Sequence, residues 1–442
     1  MQSLGAVGEI VKRGIVYVGG GGADFVDQSA SLVADRIARS LRDKVKERPI
    51  SYRVSLEADA ARIAPDINLD IAAVQVMKSD VWETVLEVLE VKYQPRFVGR
   101  FARFSPLQRA WMALQLLVRS VLASGRARWR ARTAHSGQGM LSRRLDRLQW
   151  FWLSVVRLLA LLSLAYWIFV GAFALFAGLG FSTADILGAI GATPKPKGTE
   201  IKSATIYIAM ILVVVTIIRY ALIDWLDRLG IEEFAALEYQ LDDSRYLAAT
   251  NALLDGIEFA ARRDYGKLDL LSFSFGTIIA ADAIFPRRKR NSVWSPPLAI
   301  DHWITVGFPY DMVVSYLPGY FSGRQTATID VRRWINIVAE DDFLSTRFSD
   351  GDGRGIRAGG GSHLRAPDLN PTPVDSERRI TAGWLDAFIL LRRIGNHRIY
   401  WDDEDARART CFDRVVDETA AGWTTEVLAM LSGEPARAAT PV

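Results

Sequence analysis

The residues best suited to do chemistry lie in one stretch, Leu268-Asp-Leu-Leu-Ser-Phe-Ser-Phe-Gly-Thr-Ile-Ile-Ala-Ala-Asp-Ala-Ile-Phe285. An apolar strand pattern runs into Ser272-Phe273-Ser274-Phe275-Gly276, and a helical pattern follows. A nucleophile held on so sharp a strand–turn–helix needs small residues two before and two after it, because larger side chains would meet the strand and the helix. Ser274 has such neighbours in Ser272 and Gly276, with Ser272 standing where glycine is usual. Ser272 is the poorer candidate, since the residues two away from it are Leu270 and Ser274. Serine is a weak nucleophile unless a base takes its proton. Downstream, Arg333-Trp-Ile-Asn-Ile-Val-Ala-Glu-Asp-Asp-Phe places acids directly after a strand pattern, and His397 follows near the C-terminus. Serine, acid and histidine thus occur in that order, and together they would serve acyl transfer.

In these segments the chain resembles the α/β-hydrolase superfamily, in its lipase-like and esterase-like branches. The resemblance rests on Ser274, on Thr305-Val306-Gly307-Phe308-Pro309 (a T-x-G-x-P segment), on Trp334-Ile335-Asn336 (W-x-N), and on His397-Arg398-Ile399-Tyr400-Trp401 (H-x-x-Y-W). It implies Ser274 as nucleophile and His397 as the base that returns the proton to the leaving group. It implies Asp342, eight residues after Trp334, as the acid that orients the imidazole, with Asp341 as the neighbouring alternative. The oxyanion hole would use backbone N–H groups. One comes from Phe275, after the nucleophile; the other comes from Gly20 or Gly21 in the run Gly19–Gly22, where the family has an H-G-x-G turn. Three positions depart from the pattern: Val18 precedes the glycines, Phe273 precedes Ser274, and Phe308 follows Gly307. The implied function is a membrane-anchored serine hydrolase cleaving a lipid-like or otherwise hydrophobic ester, with no metal or organic cofactor. The alternative is a catalytically silent hydrolase fold serving as a membrane scaffold or ligand sensor.

These side chains need a sheet to hold them. Gly14–Val18 reads as a strand, Ser29–Leu41 as a helix, Leu69–Val76 as a strand, and the chain from about Ser79 as another helix. Further strands are expected at Leu268–Ser272, Trp303–Val306 and Trp334–Val338. Alternating strand and helix predicts an α/β fold with a doubly wound, mostly parallel sheet. The expected organisation is one hydrolase domain contributed by residues 1–99 and 230–442, split by an inserted segment, 100–229. Such insertions are tolerated because loop-closure entropy grows slowly with length. Met312–Phe321 is apolar and suits either an acyl pocket or packed structure.

The insertion carries the membrane signal. Half of the residues are hydrophobic and mean hydropathy is +0.10. Residues 158–179 run without a charge, and 203–223 form a second apolar stretch interrupted by Arg219. Each is long enough to span a bilayer as a helix, and Gly191–Gly198, with two prolines, provides the turn. Residues 100–150 hold eleven arginines and one acid, Asp146. Basic flanks stay on the cytoplasmic side. Both soluble parts are therefore expected there, at a bacterial inner membrane, with anionic lipid rather than nucleic acid against the arginines.

Between Ser105 and Gly125, capped by Ser105 and stopped at the glycine, a helix is expected with Leu107, Trp111, Leu114, Val118, Val121 and Leu122 on one face. That face suits internal packing, a membrane plane or a lid. One cysteine, Cys411, excludes a disulfide scaffold. Gly19–Asp24 fails the dinucleotide pattern because its sixth position is Asp24, and Asp350 and Asp352 open a calcium-like count whose twelfth position is Gly361. His302 at a strand start reads as structural, and His135 and His363 as solvated.

Overall fold

The computed structural model describes residues 13–20, 30–44, 51–64, 67–78, 80–93, 104–133, 239–240, 243–263, 265–287, 299–318, 320–321, 329–337 and 345–346, with scattered helical residues between 150 and 168. In chain order these form β1 (Arg13–Val18), α1 (Ala30–Lys44), β2 (Tyr52–Ala64), β3 (Ile67–Lys78), β4 (Val81–Val91), α2 (Pro106–Thr133), α3 (Asp243–Ala261), β5 (Lys267–Phe273), α4 (Phe275–Ile284), β6 (Ala299–Val306), α5 (Tyr310–Tyr316) and β7 (Asp330–Ile337).

The strands make one seven-stranded sheet in the order β2-β3-β4-β1-β5-β6-β7. β4, β1, β5, β6 and β7 run parallel, while β2 and β3 add an antiparallel hairpin at one side. The fold is thus α/β with a mostly parallel sheet. Four strands precede α2 and three follow it, and β1 pairs with β5 residue for residue from Arg13↔Lys267 to Val18↔Ser272.

Each face of the sheet carries its own core. α1 turns Val33, Ala34, Ile37, Ala38 and Leu41 onto Ile15, Tyr17, Val88 and Phe273, the helical spacing that buries one stripe. The other face packs under α3 and α4. All ten residues of α4 are buried, so its sequence is apolar around its whole circumference apart from Thr277 and Asp282. Helices on both faces explain why the parallel strands read as unbroken apolar runs.

Two expectations fail here. The helix expected from about Ser79 is instead strand β4, Val81–Val91. Its glutamates at positions 83, 87 and 90 imitate a helical face, but its four valines favour a strand. Asp80, at φ 64°, closes a two-residue turn that pairs Lys78 with Val81. The helix beginning at Pro106 also does not stop at Gly125, but continues to Thr133. Ser105 caps it as expected: its Oγ accepts the Gln108 N–H at 3.4 Å, and its own N–H donates to Gln108 Oε1 at 2.8 Å. Among the described residues no helix is long and apolar enough to cross a membrane. The two predicted spans fall almost wholly outside the described residues.

Candidate functional site

The sheet order changes direction at β1. From β1 the chain crosses to β2 at the edge of the sheet, comes back through β3 to β4 beside β1, and then places β5 on the other side of β1. In open α/β sheets, sites form at the C-terminal ends of the strands at such a switch point. Val18-Gly19-Gly20 and Phe273-Ser274-Phe275 leave the sheet there, side by side.

Ser274 carries the distinctive geometry. It has φ 52° and ψ −123° and stands directly before α4. Non-glycine residues rarely adopt this conformation, which costs on the order of 1–3 kcal/mol. The turn is held from both sides. The Ser274 N–H donates to Val306 O at 2.9 Å, and Ser274 O accepts from the Thr277 N–H at 2.9 Å and the Thr277 hydroxyl at 2.5 Å. The Ser274 side chain is half-buried. Phe275 is the first residue of α4, so its N–H belongs to the helical turn that has no intrahelical acceptor.

Gly276 has no alternative in size. A Cβ there would lie 2.4 Å from both Gly19 O and Val18 O. The absent side chain lets α4 begin against the end of β1, which brings Ser274 beside the glycine run. Tyr93, fully buried, donates its hydroxyl to Gly19 O at 2.7 Å and packs near Phe275, with ring centroids 6.2 Å apart. Burial raises the Tyr93 pKa well above its ordinary value, so the hydroxyl keeps its proton as donor. Because a peptide unit is planar, holding Gly19 O also orients the N–H of Gly20.

Ser272 has a structural role. Its hydroxyl donates to Ile304 O at 3.1 Å and accepts the Trp303 indole N–H at 3.1 Å. A glycine there would leave that buried indole without this partner. The T-x-G-x-P and W-x-N segments meet one strand further along. Trp334 Nε1 donates to Thr305 Oγ1 at 3.0 Å, and Thr305 Oγ1 donates to Asn336 Oδ1 at 2.8 Å. Asn336 Nδ2 donates to Thr346 O at 2.9 Å, and the Thr346 N–H donates to Phe308 O at 2.8 Å. Gly307, at φ 64°, makes the turn between β6 and α5. Both ends of the 338–344 segment are therefore tied to the C-terminal edge of the sheet. Asp341 and Asp342 within it, and His397 and Gly21 elsewhere, lie outside the described residues.

Sequence reasoning missed three polar groups, two at this edge and one farther along α4. Glu90, on β4, accepts the Ala30 N–H at 2.7 Å and so caps α1, the helix after the glycine run. Burial pushes its carboxyl up to about 7, against the opposing pull of that N–H. Tyr93 is the second, and no spacing pattern marks it. The third is Asp282 in α4. Its Oδ2 accepts from Tyr239 Oη at 2.8 Å and Tyr320 Oη at 2.5 Å, and Arg287 lies 3.9 Å away. An acid inside an otherwise apolar helix was the available signal for Asp282.

His302 sits at the opposite end of the sheet. Its ring nitrogen is 2.9 Å from Asp269, whose other oxygen accepts from Arg13 at 2.5 Å. Burial alone would raise the Asp269 pKa, but the His302 hydrogen bond and the Arg13 charge outweigh it and hold the carboxylate below its ordinary value. This buried triad locks β1, β5 and β6 together, well away from Ser274. Among the described residues, no three histidine, cysteine or carboxylate side chains converge as metal ligands would. Compared with known proteins, the chain matches no protein-family model, no curated protein and no solved structure.

Proposed function

We propose that this chain is a serine hydrolase of the α/β-hydrolase type, anchored by a helical hairpin at 158–179 and 203–223 and acting on hydrophobic esters. The observation that carries the reading is Ser274: a serine in a strained conformation at the strand-to-helix turn, at the switch point of the sheet, with Gly276 packed on the β1 carbonyls. A packed turn with no task would relieve that strain with glycine. The T-x-G-x-P, W-x-N and H-x-x-Y-W segments support the same reading.

In this mechanism His397 removes the Ser274 Oγ proton as Oγ attacks the ester carbonyl. Asp342 stabilises the resulting imidazolium. The tetrahedral oxyanion is met by the Phe275 N–H and by the N–H of Gly20 or Gly21. Collapse expels the alcohol, which takes the proton from His397 and leaves an acyl-serine. Water, deprotonated by His397, then releases the acid and restores the serine. Membrane residence and the apolar composition of residues 100–229 favour a lipid-like acyl group as substrate.

The test is labelling of detergent-solubilised protein by a fluorophosphonate, which reacts only with an activated serine. Wild type labels, and both Ser274→Ala and His397→Ala lose the label. A folded wild type that stays unlabelled refutes hydrolysis and favours the silent scaffold.

A further inference from the structure

Helix α2 presents apolar side chains on two opposite sides. Met112, Ala113, Leu116 and Ala123 are buried on one side. Leu107, Trp111, Leu114, Val118, Val121 and Leu122 occupy the other side and stay open, with Leu107 at 80% and Trp111 at 59% exposure. At 100° per residue these six fall within a stripe about 100° wide. The stripe that suited packing, a membrane plane or a lid thus faces outward.

The charge of the helix says what covers that stripe. α2 contains six arginines and neither lysine nor acid. Arg128, exposed and set over the Trp150 ring, borders the stripe on one side, and Arg119, partly exposed, borders it on the other. Trp129, 69% exposed, extends the apolar face by one further turn. An apolar stripe with tryptophan, edged by arginine without acids, matches the boundary of an anionic bilayer, where arginine stems lie along the acyl region and guanidinium groups reach the phosphates. The helix is also fixed to the domain. Arg126 donates to the Ser315 and Tyr316 carbonyls at 2.8 and 3.1 Å, capping the C-terminal end of α5. α5 leaves β6 at Gly307-Phe308-Pro309, one strand from Ser274. A groove of about 460 Å³ between the stripe and α5 is lined by Leu122, Trp129, Val314 and Pro318 among others, a size and character suited to an apolar ligand.

We infer that α2 lies in the plane of an anionic bilayer, seating the domain so that the groove between α2 and α5 opens into the lipid and admits an acyl chain. This rests on the membrane residence proposed above and is independent of the serine chemistry.

The test uses the full chain carrying Ser274→Ala, with Cys411→Ser so that each added cysteine is unique. Trp111→Cys and Val118→Cys place an environment-sensitive fluorophore on the stripe, and Ser55→Cys places it on the exposed face of β2 as control. Each protein is incorporated into nanodiscs of phosphatidylcholine alone, or of equal parts phosphatidylcholine and phosphatidylglycerol, with and without spin-labelled lipid. Positions 111 and 118 are expected to be quenched by spin-labelled lipid in the anionic discs and position 55 not. The quenching should fall about twofold in phosphatidylcholine alone and with Arg128→Glu. Quenching at 111 no greater than at 55 overturns the inference. So does a blue-shifted but unquenched label, which places protein, from this chain or a second copy, on the stripe. Equal quenching in both lipids also overturns it, because the arginines then read no lipid charge. A chain that fails to enter the discs refutes the hairpin instead. The same labelled protein added to preformed anionic vesicles then decides the matter for α2 by the same quenching.

Discussion

If the Ser274 conformation is held for chemistry, removing its side chain should make the protein more stable. At φ 52° and ψ −123°, the Cβ of any L-residue is strained by about 1–3 kcal/mol. Ser274→Ala keeps the Cβ and therefore the strain. Ser274→Gly removes it, at a loss of about 0.5–1 kcal/mol for the extra freedom of glycine in the unfolded chain. The turn itself should survive in both, because the hydrogen bonds to Val306 O and from the Thr277 N–H use backbone atoms of residue 274. The glycine variant should thus exceed the alanine variant by about 0.5–2 kcal/mol, a rise in melting temperature of about 1–4 °C for a domain of this size. Thermal unfolding followed by tryptophan emission reads this, since Trp303 and Trp334 are stacked at 4.4 Å in the adjoining core. Both variants should lose fluorophosphonate labelling. A glycine variant melting at or below the alanine variant would refute the strain, and with it the argument that this serine is kept in place at the expense of stability.

Tyr93→Phe leaves Gly19 O, which now accepts at 2.7 Å, without this donor, costing about 1–3 kcal/mol. It should also slow labelling at Ser274, with Ser274 itself untouched. A labelling rate equal to wild type would show that the glycine run is not part of the oxyanion site. Arg13→Met exposes the opposite end of the sheet: Asp269 is fully buried, and loss of its cation should cost about 3–5 kcal/mol in urea unfolding while the labelling rate of the folded fraction stays unchanged. Glu90 should tie stability to pH. Its carboxyl is raised from 4.5 to about 7, so the folded state holds a proton that the unfolded chain has released. Stability is then full below about 4.5 and falls as pH rises to about 7, by about 3 kcal/mol. In Glu90→Gln, urea midpoints measured across this range should lack that fall; an identical pH profile in both proteins would disprove the assignment.

Local pattern alone determined a good deal of this protein. The parallel strands β1, β5, β6 and β7 were legible because burial on both faces demands unbroken apolar runs. Helix α1 showed through its 3.6-residue period, and the start of α2 through Ser105. The turn at Ser274 was legible because small residues on either side of it answer a steric requirement set within a few residues. What local pattern could not decide depended on partners distant in sequence. Glu87 and Glu90 gave β4 the look of a helix face. Only tertiary structure sets Tyr265 against Glu87 and the N-terminus of α1 against Glu90. The hairpin strand β2 went unseen because its exposed, charged side leaves little apolar periodicity. Ser272 looked like an imperfect glycine until the Trp303 indole arrived from the next strand. The stripe of α2 was equally compatible with inside and outside, because helical periodicity says which residues share a face but not what that face meets. Only the packing of the opposite side settled its direction.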